Sequence, residues 1–326
     1  MASVGKKIAK ASGILMGLGF LTTGIGLVKQ ILIAAQFGTS ETMDAYVVAI
    51  TVVGLILLWL ELPISQVIIP MFRYDLARQG EQGAWANISV LFNNLVFVIV
   101  VLACAAWLLA PALVSLLSPG FTDSANVLAT GLTQIMVISV VFIAAGKILV
   151  QILFSYERFF LPGISDLVNN LVVVFAFLAL SGTYGIYGLA IAVVLGGICE
   201  FASQLPILWE KRKLYQPKLD PRHPGMREMG RLGFPLVLAN SGIELARVTD
   251  RIFASLLPAG RLSALAFGHR LTNVFLDLFV GPLHKSSFPH FTKLSAEENF
   301  EVLSWQYARY LQTIFFFTLP AAIGVA

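Results

Sequence analysis

The chain alternates long apolar stretches with short polar ones, and the apolar stretches are too long for strands. Ser89–Leu117 contains no charged residue, and neither does Leu167–Ile198. A bilayer core about 30 Å thick needs about 20 consecutive apolar residues in helical form. Nine such segments can be drawn, at about 12–36, 43–71, 86–116, 126–154, 161–181, 186–208, 229–257, 262–291 and 304–326. Proline and glycine punctuate several of them, which membrane helices tolerate. The pattern predicts an all-α polytopic membrane protein. Lys6, Lys7 and Lys10 precede the first segment, as they would in a signal peptide. The run Ala11–Phe37 is longer than such a peptide, is interrupted by Lys29 and has no small-residue cleavage site, so it reads as a retained helix.

The polar stretches alternate in charge. The N-terminus, the 72–85 stretch (Arg73, Arg78), the 155–160 stretch (Arg158) and the 209–228 stretch (Lys211, Arg212, Lys213, Lys218, Arg222, Arg227) are basic. The stretches 37–42, 117–125 and 181–187 have no Lys or Arg. Further on, one turn carries Arg261 and the next Lys293. Basic loops stay cytoplasmic, which places the N-terminus inside.

Composition agrees: 57% of residues are hydrophobic and 12% charged, against roughly 25% charged in soluble domains. The net charge of +4 resides mostly in the loops and speaks to topology, not to nucleic acid. Cys104 and Cys199 lie in apolar segments without metal-ligand neighbours and read as small buried apolar residues. His223 lies in the basic stretch, and His269, His284 and His290 share no single-face ligand spacing. No Walker loop is present, which excludes ATP hydrolysis by that route. Neither an enzyme constellation nor a cofactor or metal motif stands out.

An internal repeat is visible. Pro63…Pro70-Met71-Phe72 and Pro282…Pro289-His290-Phe291 both read P-x6-P-x-F, at an offset of 219 residues. The same offset pairs Ile33 with Ile252, Ala35 with Ala254 and Ala45 with Ala264. Six segments separate the copies, and an even number returns the chain to the same side. The copies would be parallel repeats, a known transporter plan. The expected organisation is a six-helix lobe over 1–208, a basic connector over 209–228 and about three helices of a second lobe over 229–326. Pro217, Pro221 and Pro224 exclude a long helix in the connector, which reads as hinge-like. On this reading the second lobe is incomplete and the chain stops within a ninth helix.

Ionisable residues at membrane depth cost about 2.5–3.5 kcal/mol each and usually face a cavity or a partner. This chain has Lys29, Asp44, Glu61, Lys147, Glu200, Glu244, Arg247, Asp250, Arg251, Arg270, Asp277 and Lys285 in or near its segments. Glu244, Arg247 and Arg251 share one helical face, with Asp250 beside it. Two readings hold together: a self-neutralising Glu244–Arg247 pair and a polar cavity wall. Arg270 has no acid three or four residues away and reads as lining a path for an anionic ligand, since a guanidinium fork matches phosphate. Lys29 likewise lacks an acid in its own helix, although snorkelling would also account for it. Lys147 lies near a segment's cytoplasmic end and is expected to snorkel.

Several stretches taken together resemble one family. They are Gly26-Leu-Val-Lys-Gln-Ile-Leu-Ile-Ala-Ala-Gln-Phe-Gly38, Asp44-Ala-Tyr46, Ser65-Gln66 ahead of Ile69-Pro70, and Ser118-Pro-Gly-Phe121. Further on come Asp250-Arg-Ile-Phe-Ala-Ser-Leu-Leu-Pro-Ala-Gly260, Ser263-Ala-Leu265 and His269-Arg-Leu271. They resemble the MurJ/MviN family of lipid II flippases, in the multidrug/oligosaccharidyl-lipid/polysaccharide exporter superfamily, and the likeness runs from about residue 12 to the end. The resemblance implies two six-helix lobes that open alternately to the two sides. It also implies transport of an undecaprenyl-diphosphate-linked glycan to the outer leaflet of the bacterial inner (cytoplasmic) membrane. The implied partners are that glycan and the lipid bilayer, with a coupling ion left open. Cavity arginines serve the diphosphate in this family; by position Lys29 replaces a first-helix arginine, Arg270 matches an eighth-helix one and Asp44 matches an acid. The candidate substrate-binding set is therefore Arg270, Lys29, Arg247 and Arg251, with Asp44, Glu244 and Asp250 as cavity or ion-pair acids. The chain departs from the family pattern at Thr23, Ile56 and Leu57, where arginines are expected. A less cationic site leaves three alternatives: a flippase for another polyprenyl-linked polysaccharide precursor, a drug or cation antiporter of the same superfamily, and a non-transporting membrane scaffold.

Overall fold

The computed structural model describes residues 2–276, 291 and 300–325. The expected features at Asp277, at Lys285 and across 282–290 lie outside them. The helices are α1 Ala2–Phe37, α2 Glu41–Leu108, α3 Ala110–Leu117, α4 Asp123–Ser155, α5 Phe160–Tyr184, α6 Ile186–Glu210, α7 Pro224–Ser255, α8 Arg261–Phe275 and α9 Phe300–Val325. Among the described residues there is no strand.

One boundary differs from the pattern. The expected segment 43–71 and most of 86–116 belong to a single helical run, α2, interrupted at Gly80 (φ 70°, ψ −176°), and the rest of the second segment forms α3. The polar stretch between them (Arg73, Asp75, Arg78, Gln79, Glu81, Gln82) consists largely of good helix formers, so the helix persists as the chain leaves the apolar zone. Gly80 reverses it. Phe72 and Trp85 would stand about 20 Å apart along a straight helix at about 1.5 Å per residue. Their ring centroids are 6.2 Å apart, and Asn87 Nδ2 donates to Asp75 Oδ2 at 3.1 Å.

The core lies where the two arms of α2 meet α4 and α6. Ile88, Leu91, Ile99, Leu132, Met136, Ile148 and Leu149 are fully buried there. Small residues bring the backbones close: a Cβ on Gly146 would lie 3.5 Å from Phe201 Cα, and one on Gly197 would lie 3.4 Å from Ser139 O. Buried hydroxyls bond carbonyls of their own helix, as in Ser89 to Trp85, Thr133 to Ala129 and Ser139 to Met136. Outward faces are apolar: Phe97, Leu108, Leu116, Val127, Phe175 and Leu178 are all exposed. Cys104, expected to be buried, is exposed on such a face, because hydropathy does not distinguish lipid-facing from core-facing positions. Cys199 is half-buried.

Among the described residues, five helical stretches are long and apolar enough to cross a membrane: Gly17–Phe37, Glu41–Leu108, Asp123–Ser155, Phe160–Tyr184 and Ile186–Glu210. α7 has the length but is not apolar enough to join that group. α7 and α8 pack on α2, and α8 also meets α1.

The connector is tied down along its first half. Asn93 Nδ2 donates to the carbonyls of Gln216 (3.0 Å) and Lys218 (3.1 Å). Asn94 Nδ2 donates to the Asp220 carbonyl, and Asp220 N–H donates back to Asn94 Oδ1 at 3.0 Å. Tyr215 OH donates to Asn93 Oδ1. As its prolines require, the stretch 215–220 is non-helical, and Pro224 opens α7. His223 Nδ1 accepts from Gly225 N–H at that helix start.

Gly80 occupies a backbone region accessible essentially to glycine alone, and a Cβ there would meet open space, so strain acts without a clash. Gly80→Ala is expected to lower stability by about 1–3 kcal/mol, read as a fall in melting temperature of the detergent-solubilised protein. Gly54→Ala, inside a regular helix with open space beside it, should cause no such fall.

Candidate functional site

Charged side chains at membrane depth converge on a cavity of about 360 Å³ bounded by α1, α2, α4, α5, α6 and α8. Thr22, Thr23, Glu61, Lys147, Asp166, Asn169, Asn170, Glu200 and Arg270 line it. On the α1–α8 side, Lys29 Nζ donates to Asn170 Oδ1 at 2.5 Å. Arg270 Nη2 lies 3.6 Å from the place a Cβ would take on Gly26. Arg270 therefore lies against the Gly26 turn of α1 at van der Waals distance. Arg270 is exposed to the cavity and has no ion pair or hydrogen bond among the described residues. Two of the proposed ligands, Lys29 and Arg270, are therefore neighbours brought together from helices far apart in the chain.

The opposite wall is built differently from the expectation. Lys147 does not snorkel; its Nζ lies 2.7 Å from Asp166 Oδ1 and 3.3 Å from Glu200 Oε1. Glu200, with a side chain 3% exposed, also accepts from Ser165 Oγ (3.3 Å) and Asn169 Nδ2 (2.9 Å). An internal acid pair on α5 and α6 outcompetes the distant interface for the ammonium. Asp166, Asn169 and Asn170 were not singled out from the sequence. Their i, i+3, i+4 spacing on one face of an otherwise apolar segment was the available signal.

A second cavity of about 380 Å³ lies between α2 and α7. Glu244, Arg247 and Arg251 line it together, as their shared face requires. Arg247 Nη1 is 2.6 Å from Glu244 Oε1, so the ion pair and the cavity wall coexist. Arg251 Nη1 donates to the Val47 carbonyl at 3.4 Å. Leu57 lines this cavity and Thr23 the first, so two of the positions lacking the family's arginines do face the interior. Asp250 is exposed and borders neither cavity. A third cavity, of about 210 Å³, includes Glu61, Ser65, Lys147 and Gln151. Glu61 borders all three. Among the described residues no group of His, Cys, Asp and Glu is placed to hold a metal ion.

Asp44, expected as a cavity or ion-pair acid, sits elsewhere. It is 3% exposed, and its carboxylate accepts from the backbone N–H of Gly260 and of Ser263, each at 2.6 Å. It forms no ion pair among the described residues. It caps the start of α8, where unpaired N–H groups and the positive end of the helix dipole favour an anion. The turns around it are pressed together. A Cβ on Gly260 (φ +88°) would lie 2.3 Å from the Thr39 carbonyl, and one on Gly120 would lie 2.3 Å from the Ser255 carbonyl.

Apolar helices wrapped around a charged interior define an α-helical polytopic membrane protein. A solved structure of the lipid II flippase MurJ in an inward closed conformation shares this fold, with a TM-score of 0.79 at 22% identity over 95% of this chain and 64% of that one. An inward-facing multidrug resistance MATE family transporter shares it too, with a TM-score of 0.71 at 17% identity over 93% of this chain and 68% of that one. The family model for the lipid II flippase MurJ matches residues 33–326, and the chain belongs to that family. Among the relatives, the lipid II flippase MurJ of Burkholderia cenocepacia is 28% identical over 95% of this chain and 62% of its own length. The probable lipid II flippase MurJ of Buchnera aphidicola subsp. Acyrthosiphon pisum is 25% identical over 76% of this chain and 49% of its own length. The chain thus spans about half to three-fifths of the relatives it matches.

Removing one partner of a buried pair leaves a charge uncompensated, at a cost of about 3–5 kcal/mol, whereas replacing both by apolar groups is often neutral. Lys147 retains the more exposed Asp166 when Glu200 is lost, so Glu200→Ala should fall toward the lower end of that range. The double change Lys147→Met with Glu200→Met should regain most of the lost thermal stability, measured in detergent. Additive losses in the double variant would show that the pair is not coupled.

Proposed function

We propose that the chain belongs to a flippase that moves an undecaprenyl-diphosphate-linked glycan from the inner to the outer leaflet of the bacterial cytoplasmic membrane. The observation that carries this reading is the Lys29–Arg270 corner, where a guanidinium without an acid partner faces a cavity at membrane depth. An isolated guanidinium there calls for an anionic ligand, and its fork suits a phosphate. The lipid tail can remain in the bilayer while the head crosses. The relatives are named as flippases, which are transporters.

Alternating access is part of the proposal. Residues 1–208 form one lobe, 209–228 the connector and 229–326 part of a second lobe. On this proposal, the two hydrogen bonds from Gly260 and Ser263 to Asp44 keep the lobes together at the end away from the basic loops, where Gly260 and Gly120 allow close approach. Opening that end breaks two hydrogen bonds to a carboxylate, each of about 1.5–3 kcal/mol. The basic loops are taken as cytoplasmic. Glu61, Asp166 and Glu200 in the same cavity favour a cation antiporter as the second reading, since carboxylates suit cations.

Orientation is checked by cysteine labelling in intact cells. Cysteines at Thr42 and Ser124 should react with an impermeant reagent and one at Gln82 should not; reaction at Gln82 from outside would reverse the orientation.

The substrate class is checked at Arg270. Arg270→Ala should abolish flipping of a fluorescent polyprenyl-diphosphate glycan in reconstituted vesicles, and Arg270→Lys should retain part of it. Membrane abundance should hardly change, because no described acid is stranded. Normal flipping by Arg270→Ala at normal abundance would remove the diphosphate reading; export of an organic cation in its place would favour the antiporter.

A further inference from the structure

On the wall opposite Arg270, two carboxylates share one ammonium. Lys147 Nζ from α4 lies 2.7 Å from Asp166 Oδ1 on α5 and 3.3 Å from Glu200 Oε1 on α6, so the two acids are themselves close neighbours. Glu200 is also held by Ser165 Oγ and Asn169 Nδ2, neutral groups that add no charge. Glu61 of α2 acts on Lys147 electrostatically from the same cavity. The cluster therefore carries more negative charge than Lys147 offsets. Carboxylates crowded in this way disfavour one another's ionised forms and titrate as a unit. The cationic corner is adjacent: Asn169 serves Glu200, and Asn170, next in the chain, serves Lys29. The cluster is also open toward the basic loops. The third cavity, which Glu61 and Lys147 line, extends to Ser65 and Gln151, each one turn farther toward that end. One turn past Glu200, Gln204 is fully buried; its Nε2 donates to the Leu161 carbonyl at 3.1 Å. Its Oε1 has no hydrogen-bond partner among the described residues, which leaves an acceptor for a donor beside the cluster.

We propose that Asp166 and Glu200 hold one exchangeable proton between them, taken up when an anionic group binds at the Lys29–Arg270 corner. The inference rests on the diphosphate reading above and adds a proton that binds with the anion. The charged groups around the pair are Lys147 from α4, Glu61 from α2, Lys29 from α1 and Arg270 from α8. An anion offsets the last two and raises the cost of the cluster's excess negative charge, which a proton cancels in place. That proton comes from water through the third cavity, and the O–H bond to a carboxylate is the one bond formed. Lys147 stays charged and positions both carboxyl groups. Asp166 and Glu200 act on the anion through charge and do not touch it.

The test uses the purified protein in lipid nanodiscs and a polyprenyl-diphosphate-linked disaccharide. Both phosphates of that probe are esterified and keep only a strongly acidic hydroxyl each, so its own charge is constant near neutrality. Binding in weakly buffered solution with a pH indicator should take up about one proton per probe bound. The bound state carries more protons than the free one, so raising the pH opposes binding, and Kd should rise by up to about tenfold per pH unit. Glu200→Gln and Asp166→Asn each leave one carboxylate on one ammonium. Each should abolish the uptake and flatten the pH dependence, with a Kd near the wild-type value at acid pH. Asp166 is the more exposed of the two, so its variant keeps the test decisive where Glu200→Gln fails to fold. Binding by the wild type without proton uptake at any pH from about 5 to 9 overturns the inference and leaves the diphosphate reading standing. Uptake that survives in Asp166→Asn also overturns it and assigns the proton to Lys29 or Glu61. A Kd weakened equally at every pH in that variant, with the slope retained, overturns it as well, because such a loss reflects packing. Absence of binding by the wild type overturns the diphosphate reading and the inference together, which separates the two failures.

Discussion

Hydrocarbon offers no hydrogen-bond partner, so each charge carried into the bilayer must find one inside the protein or face a water-filled space. The arrangement of α1–α8 follows from that constraint. Apolar faces carrying Phe97, Val127, Phe175 and Leu178 turn outward, and Glu61, Lys147, Asp166, Glu200, Arg247 and Arg270 turn inward onto adjoining cavities. Small residues such as Gly146 and Gly197 let the helices approach closely enough for the inward groups to meet.

Most of those inward charges neutralise one another. Lys147 is engaged by Asp166 and Glu200, and Glu200 is further oriented by Ser165 and Asn169. A lysine fixed in this way shapes the wall and leaves ligand contact to groups without such partners. Arg270 is such a group among the described residues, and Lys29 stands beside it with an amide as its hydrogen-bond partner. The family's expected arginines are replaced at Thr23 and Leu57, both of which face the interior. The site is therefore mixed in sign, in keeping with the less cationic site expected from Thr23, Ile56 and Leu57.

Two further constraints act on how the helices can move. At one end, Asp44 joins the first turn of α2 to the start of α8 through backbone N–H groups, and Gly260 and Gly120 permit a contact that any side chain would block. Toward the basic loops, Asn93 and Asn94 fasten the connector to α2 as far as Asp220. Displacement of α7 relative to α2 must therefore be absorbed between Asp220 and the first turn of α7.

The sequence by itself determined the class of fold and most of the charged inventory. Hydropathy periods report which residues leave water, and that is a local property, so the apolar segments and the shared face of Glu244, Arg247 and Arg251 were legible. The motifs around Gly26–Gly38 and Asp250–Gly260 carried the family. Helix ends were less legible: the polar residues before Gly80 marked an exit from the apolar zone, yet they are helix formers and the helix runs through them. Partners were not legible at all. Lys147 read as snorkelling because its acids lie on α5 and α6, and Asp44 read as a cavity acid because the backbone it caps lies 216 and 219 residues away. Which charge remains unpaired depends on distances between helices, and neither periodicity nor spacing along one helix encodes those. Tertiary packing alone decided that Arg270 faces the cavity without an ion pair or hydrogen bond among the described residues.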